Sequence, residues 1–124
     1  MRFDVVVIGG GLAGMTCAIR LAEQGKRCAV VSSGQSALYF SSGSLDLLAQ
    51  LPNGTPVTEP LAALSALATQ APRHPYALIG AERAAALSGE AASLLQRCGL
   101  ALQGDSERNH LRITPLGTRR ATWL

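Results

Sequence analysis

The fold is decided by one stretch near the amino end of the chain, Val5-Val6-Val7-Ile8-Gly9-Gly10-Gly11-Leu12-Ala13-Gly14. Its first four residues form a β-branched run without polar alternation, which is typical of a strand covered on both faces in a parallel sheet. Helix-forming residues follow the glycines, and Gly25 is placed to end that helix in the left-handed conformation. A second apolar run then resumes the strand pattern. The sequence therefore predicts one βαβ unit, with its elements at residues 3–8, 11–24 and 27–31.

The glycines match the pattern G-x-G-x-x-G at Gly9, Gly11 and Gly14, directly after a predicted strand and at the start of a predicted helix. In this pattern the first glycine permits a tight turn, the second lets the backbone approach a phosphate, and the third lets helix and strand pack closely. The free amides at the start of the helix and its dipole favour an anion there. We therefore expect a dinucleotide or flavin phosphate to bind at Gly9, Gly10, Gly11, Leu12, Ala13 and Gly14. The alternative is a turn that serves close packing alone.

Ser32 occupies the position, about 20 residues after the glycines, where a carboxylate often binds an adenosine ribose. No arginine follows it that would accept the additional phosphate of NADP. The identity of the nucleotide is therefore open at this point. Ser32 could still bond a ribose hydroxyl, or the ligand could lack adenosine, as FMN does.

The rest of the chain predicts further helices and a small antiparallel sheet. Residues 32–44 are mostly serine and glycine and are expected to form a loop. Apolar residues at helical spacing predict helices over residues 61–71 and 84–98. Short strands are expected at residues 100–103, 110–114 and 118–124. The predicted fold class is α/β: a Rossmann-like FAD/NAD(P)-binding βαβ unit with additional helices and the start of an antiparallel β-sheet, in one domain over residues 1–124.

Composition narrows the class of protein. The 124 residues are 48% apolar and 15% charged with a net charge of +3, which describes one globular domain and not a disordered tail. Aromatic residues are only 4% and the basic residues are dispersed, so nucleic-acid binding is not expected. Cys17, Cys28 and Cys98 are far apart and favour buried thiols in a reducing compartment, with no disulfide framework and no metal site. We expect a cytoplasmic chain without a membrane span.

Specific segments resemble a known family. The glycine turn, with Ser-Ser-Gly at residues 32–34, resembles the flavoproteins that include the fumarate reductase and succinate dehydrogenase flavoprotein subunits. More specific similarity, to flavin subunits of the anaerobic glycerol-3-phosphate dehydrogenase family, extends over all 124 residues and is carried by residues 1–4, 34–38, 40–48, 114–118 and 122–124. The segment 41–48 has no general structural reason to recur, so it is more distinctive than the glycines.

The resemblance implies a bacterial flavin-dependent oxidoreductase subunit that acts on glycerol 3-phosphate, yields dihydroxyacetone phosphate and passes electrons to a membrane quinone. It implies FMN as the cofactor, with FAD as the alternative. It also implies that the flavin's phosphate or ring lies near Ser41, Ser42, Gly43 and Ser44. The implied partners are an FAD-bearing catalytic subunit and an iron–sulfur subunit that anchors the complex to the cytoplasmic face of the inner membrane. Because such subunits are several hundred residues long, we expect this chain to be part of a longer subunit and inactive alone.

Two other functions stay open. One is another FAD-dependent dehydrogenase or reductase of the fumarate reductase flavoprotein family, and the other is a non-catalytic nucleotide-binding or docking module. No catalytic residue is assigned, and His74 and His110 are expected to be structural or exposed. Asp46 could bind a flavin hydroxyl or complement a helix N-terminus. Arg119 and Arg120 would point to opposite faces of a strand, so at most one of them could hold a substrate phosphate.

Overall fold

A computed structural model describes all 124 residues, which fold into two compact units, Met1–Gly43 and Ser44–Leu124. The first unit contains β1 (Val5–Ile8), α1 (Leu12–Glu23), β2 (Cys28–Val31) and a single 3₁₀ turn (Ala37–Phe40). The second unit contains α2 (Leu64–Gln70), α3 (Pro75–Ile79), α4 (Ala81–Arg97), β3 (His110–Ile113) and β4 (Arg119–Thr122). The mixed α/β class is confirmed, and the single domain over residues 1–124 stays a prediction.

The first unit is the predicted βαβ arrangement. Strands β1 and β2 pair in parallel, with Val5 opposite Cys28 and Ile8 opposite Val31. At the far end of the ladder the Gly9 N–H donates to the Val31 carbonyl at 2.8 Å. Helix α1 lies over the face that carries Val7, because a Cβ built on Gly14 would be 3.3 Å from Val7 Cγ1. The carboxyl end of β1 and the start of α1 therefore meet at the glycine turn.

The expectation that this sheet is covered on both faces is wrong for these residues. Side chains alternate along a strand, so Val6 and Ile8 point away from α1. They are 55% and 88% exposed, and Val31 on the neighbouring strand is 54% exposed. The β-branched residues of β1 suit burial on both faces of the sheet. However, Met1–Gly43 contains only one α-helix, α1, that can cover a face. One apolar face of the sheet is therefore open in this structure.

The second unit has its own hydrophobic core, which consists of Leu48, Val57, Leu64, Leu67 and Ala84. Asn109 connects the start of the hairpin to this core. Its side-chain amide donates to the carbonyls of Leu48 at 2.9 Å and Val57 at 2.8 Å, and its backbone N–H donates to Thr58 at 2.7 Å. These three bonds fix the position at which β3 begins.

The hairpin β3–β4 is antiparallel as predicted, with His110 opposite Thr122 and Ile113 opposite Arg119. The helices expected over residues 61–71 and 84–98 are present as α2 and α4. The strand expected at residues 100–103 is wrong, because that segment forms no ladder. Helix α3 was not predicted, since Pro75 looks like a break. Proline is compatible with the first helical position, and the His74 side chain caps this helix by accepting the Tyr76 N–H at 3.1 Å.

The three thiols are free, but they are not buried as expected. Cys17 and Cys98 are exposed and Cys28 is half-buried. In α1 the buried residue is Ala18, the one after Cys17. A single sheet covers only one side of that helix, so its wide apolar surface is not fully enclosed. None of the helices is both long enough and apolar enough to cross a bilayer.

Candidate functional site

The glycine turn between β1 and α1 has a conformation that requires glycine at two positions. Gly9 has a φ of +115°, in a region that side chains disfavour. A Cβ on Gly14 would lie 2.0 Å from the Gly9 carbonyl oxygen and 3.1 Å from the Gly9 carbonyl carbon. No side chain fits there without moving the backbone. The first and third glycines of the motif therefore have the turning and packing roles expected from the sequence.

The start of α1 offers hydrogen-bond donors that the chain itself does not cap. Gly11 is the N-cap residue with extended backbone angles, φ −79° and ψ −178°, and no side chain accepts a hydrogen bond there. The first turn contains no acidic residue. The N–H groups of Leu12, Ala13 and Gly14 are thus among the donors that a helix leaves without an intrahelical partner.

The side-chain direction of Gly11, next to these donors, is open. The nearest atom to a Cβ built on Gly11 would be the Ser36 Cβ, 4.0 Å away. Unpaired amides, the positive end of a helix dipole and the lack of a carboxylate together suit a phosphate group. The residues present therefore fit a nucleotide phosphate held by main-chain nitrogen.

Two serines lie against the turn. A Cβ on Gly10 would be 3.0 Å from Ser32 Oγ, so Ser32 is beside the glycines, as its position after β2 predicts. The Ser32 hydroxyl donates to the Gly34 carbonyl at 2.8 Å. Because its proton is used locally, Ser32 is arranged to accept a hydrogen bond from a ligand hydroxyl and not to donate one.

Sequence reasoning missed Ser36, the serine that lies beside Gly11. Its Oγ accepts the Leu38 N–H at 3.3 Å and caps the 3₁₀ turn. The signal that could have identified it is a serine followed directly by apolar residues, a common N-cap pattern. Ser36 narrows the space around the glycine turn on one side.

The structure places the remaining predicted serines after the 3₁₀ turn. Ser41 Oγ accepts the Gly43 N–H at 3.1 Å, and the Ser41 N–H donates to the Leu38 carbonyl at 3.1 Å. Ser41, Ser42 and Gly43 are exposed at the end of the first unit, and Ser44 is the first residue of the second. Their proximity to a flavin stays a prediction.

Asp46 belongs to the second unit and forms an ion pair with Arg120, with 2.6 Å between Asp46 Oδ2 and Arg120 Nε. No helix begins at Asp46, so the proposed complement to a helix N-terminus is wrong. His110 Nε2 accepts a hydrogen bond from Arg112 Nε at 3.2 Å. The two histidines are thus bound to neighbouring groups, His74 to the start of α3 and His110 to an arginine.

At the opposite end of the βαβ sheet, Asp4 connects the two strands. The Arg27 backbone N–H donates to Asp4 Oδ2 at 2.8 Å, and the Arg27 guanidinium lies 3.3 Å from Asp4 Oδ1. The backbone hydrogen bond, and after it the guanidinium, hold the pKa of the Asp4 carboxyl below its ordinary value of 3.8. This charged pair connects the start of β1 to the residue before β2, at the end of the sheet remote from the glycine turn.

Comparison with known protein families gives one match over almost the whole chain. The family described as FAD binding domain matches residues 4–124. That description identifies a flavin as the class of cofactor. The matched residues include both the glycine turn and the β3–β4 hairpin.

Among curated proteins, the chain is similar to several that are named as a subunit of anaerobic glycerol-3-phosphate dehydrogenase. It is 62% identical over 124 residues to the protein of Pectobacterium atrosepticum, 63% identical over 125 residues to that of Yersinia pestis, and 55% identical over 124 residues to that of Actinobacillus succinogenes. Each alignment covers all of this chain and 29–30% of the relative, so the chain spans less than a third of the length of these proteins. No solved structure matches the chain.

Proposed function

Because the chain belongs to the FAD-binding domain family, we propose that it is the nucleotide-binding part of a flavin-dependent oxidoreductase subunit, with the flavin phosphate at the glycine turn. The observation that carries this proposal is the geometry of Gly9, Gly11 and Gly14. Gly11 leaves the amides of the first helical turn uncapped, and its own side-chain direction is open. Gly14 packs so closely on the Gly9 carbonyl that no side chain fits there. Leu12 and Ala13 add two of the amides.

The reaction we propose is the oxidation of glycerol 3-phosphate to dihydroxyacetone phosphate, within a longer subunit. The names and identities of the relatives support it. Converting this secondary alcohol to a ketone releases two electrons and two protons, and a membrane quinone is the proposed final acceptor of both. A bound flavin supplies the redox chemistry, while the residues of this chain bind and orient it.

We propose FMN as the flavin, whereas the wording of the family description favours FAD. Support for FMN comes from Ser32, which stands where a carboxylate is expected and offers a ligand only an uncharged acceptor oxygen. An adenosine ribose would therefore lack a charge-assisted anchor at this position. Denaturing the full-length protein and separating the released flavin by chromatography distinguishes the two. Recovery of FAD without FMN would reject FMN and favour another FAD-dependent dehydrogenase or reductase of the family.

The proposed partners are an FAD-bearing catalytic subunit and an iron–sulfur subunit that attaches the complex to the cytoplasmic face of the inner membrane. The word "subunit" in the names of the relatives supports an assembly. Co-purification of the full-length protein with two further chains, one containing iron and acid-labile sulfide, tests this. Isolation as a single active species would contradict it.

The glycine turn is tested with Gly11→Val in the full-length protein. The backbone angles at Gly11 are ones that valine adopts, and only Ser36 approaches the new side chain, so the fold should persist. The added methyl groups occupy the space proposed for the phosphate. We expect flavin affinity to fall at least about tenfold, equivalent to about 1.4 kcal/mol. The measurement is flavin absorbance per protein after gel filtration.

Gly89→Val is the control for that experiment. Gly89 lies on the exposed side of α4 with nothing near its Cβ position, so the substitution should leave flavin content unchanged. Wild-type flavin content in Gly11→Val would reject phosphate binding at the turn. Turnover in the wild-type protein without any bound flavin would reject the proposed redox role.

A further inference from the structure

We propose that the β3–β4 hairpin carries a second phosphate-binding site, formed by His110 and Arg112, which receives the phosphate of a small phosphorylated alcohol. The proposal rests on the proposed function for its substrate class. It concerns residues of the second unit alone and is independent of the glycine turn.

The strand register places the side chains of His110, Arg112 and Arg120 on one face of the hairpin. Arg112 is opposite Arg120 and His110 is opposite Thr122 in the antiparallel ladder. Since side chains alternate along each strand, these four residues share a face. Arg119 is opposite Ile113 and lies on the other face.

The charges on this face are unbalanced. Two guanidinium groups directly opposite each other across an antiparallel pair repel, which destabilises the pairing. Asp46 forms an ion pair with Arg120 and neutralises the charge of Arg120 alone. Arg112 has no carboxylate within ion-pair distance, and its one polar contact within the chain is from Nε to the His110 ring. A bound anion would supply the missing negative charge.

The free part of the Arg112 guanidinium has the geometry that phosphate recognition uses. Its Nε is bound to His110 Nε2 at 3.2 Å, which leaves the terminal nitrogens to donate as a fork. Because His110 Nε2 acts as an acceptor, the ring N–H of His110 is on Nδ1. The pair therefore presents donors to a ligand and no free carboxylate.

An open surface cavity of about 350 Å³ lies beside these two side chains, lined by Gln103, Gly104, His110 and Arg112. It is near the lower end of the sizes usual for small-molecule sites, which suits a three-carbon phosphorylated alcohol better than a nucleotide. Gly104 has a φ of +124°, and a Cβ there would lie 2.0 Å from the Trp123 carbonyl oxygen and 3.0 Å from His110 Cε1. Glycine thus lets the backbone approach the imidazole and form one wall of the cavity.

The test uses the full-length protein and the variants Arg112→Gln and Arg112→Lys. Calorimetry measures the binding of glycerol 3-phosphate, inorganic phosphate and uncharged glycerol. Arg112→Gln should lower the affinity for glycerol 3-phosphate and for inorganic phosphate by about tenfold or more, because one forked charge contact is lost. Arg112→Lys should recover part of that affinity, because it restores the charge without the fork. Glycerol binding should be weak and unchanged.

Arg119→Gln is the matched control, since it removes the same charge from the opposite face of the same hairpin. It should change glycerol 3-phosphate affinity less than about twofold, because an exposed charge on the other face acts only through screened, long-range interaction. Equal losses in Arg112→Gln and Arg119→Gln would overturn the proposal, because they would indicate a general charge effect. Binding of inorganic phosphate without glycerol 3-phosphate would overturn the assignment to a phosphorylated alcohol.

Flavin content is measured in every variant to separate the two proposals. Loss of phosphate binding with wild-type flavin content is the expected result for Arg112→Gln. A wild-type protein that binds glycerol 3-phosphate but retains no flavin would reject the proposed function and leave the hairpin site standing. Wild-type affinity in Arg112→Gln with normal flavin content would reject the hairpin site alone.

Discussion

The glycine turn of the first unit and the basic face of the hairpin in the second unit both suit a phosphate, but they are made from different parts of the chain. At the glycine turn the donors are main-chain amides, and Gly9 and Gly14 matter because they lack a side chain. On the hairpin the donors are the side chains of His110 and Arg112. A backbone site should therefore be damaged by adding atoms, and a side-chain site by removing them.

The two units also differ in what maintains their shape. Among apolar residues of the first unit only Ala18 is buried, whereas the second unit has a core that includes Leu64 and Leu67. The first unit depends on parallel strand pairing, close packing at Gly14 and the Asp4–Arg27 pair. The first unit thus contains the more recognisable sequence motif but has the smaller hydrophobic core.

The largest effect should come from Gly14→Ala. A single methyl group would lie 2.0 Å from the Gly9 carbonyl oxygen, so α1 and the turn must separate. Overpacking against a rigid partner typically costs 1–3 kcal/mol, and here the displaced atoms are backbone, so we expect about 3 kcal/mol or more. The turn and its amides move together, so bound flavin should be lost as well. Unfolding by urea and flavin content measure the two effects.

Gly89→Ala is the paired substitution in helix α4, where a Cβ meets nothing within 4 Å. It should stabilise the protein by up to about 1 kcal/mol, because alanine has the higher helix propensity. Similar stability in Gly14→Ala and Gly89→Ala would show that the close approach at the turn has no energetic consequence, and the contrast drawn between the two units would fail.

Leu67→Ala should have a narrower effect than Gly14→Ala, because it should lower stability without changing flavin content. Leu67 is 1% exposed in the core of the second unit, and truncation of a buried leucine costs about 2–5 kcal/mol. Flavin content measured well below the unfolding midpoint should not change. Leu87→Ala is the control, because Leu87 is 40% exposed on α4 and its truncation should cost less than about 1 kcal/mol. Loss of flavin from folded Leu67→Ala would contradict a separation between core and cofactor site.

The sequence predicts the first unit well because its constraints are local. A positive φ at Gly9 and the contact of Gly14 with the Gly9 carbonyl leave glycine as the only residue that fits, and both positions lie within six residues. The parallel pairing of β1 and β2 follows from the crossover helix between them. The antiparallel hairpin β3–β4 follows in the same way from a short turn that contains Gly117, with a φ of +77°.

Features that depend on distant partners were not predictable. Asp46 and Arg120 are 74 residues apart, so no local pattern indicated that one neutralises the other. The importance of Arg112 appears only after the register sets it opposite Arg120. Exposure of Val6 and of Cys17 depends on how many layers cover the sheet and α1, which hydrophobic character alone does not determine.

The smallest effect should come from Asp4→Asn, at the end of the sheet remote from the glycine turn. The pKa of the Asp4 carboxyl is lower in the folded protein than its ordinary value of 3.8, first through the Arg27 backbone N–H and then through its guanidinium. The charged carboxylate therefore stabilises the fold above about pH 4, and this contribution is lost as pH falls through the lowered pKa. Urea unfolding should show the wild type as more stable than Asp4→Asn at pH 7, with a difference that narrows below pH 3.8.

Arg27→Gln sharpens this last prediction, because it removes the guanidinium but keeps the backbone N–H that is the larger cause of the lowered pKa. In that background, Asp4→Asn should still destabilise the protein at pH 7, by less than in the wild type. An equal difference at pH 7 and pH 3 in the wild-type background would contradict a role for the carboxylate charge. A difference that disappears entirely with Arg27→Gln would assign the effect to the side-chain ion pair instead of the main chain. The register of β1 and β2 would then depend on a side-chain contact, unlike the glycine turn at the other end of the same strands.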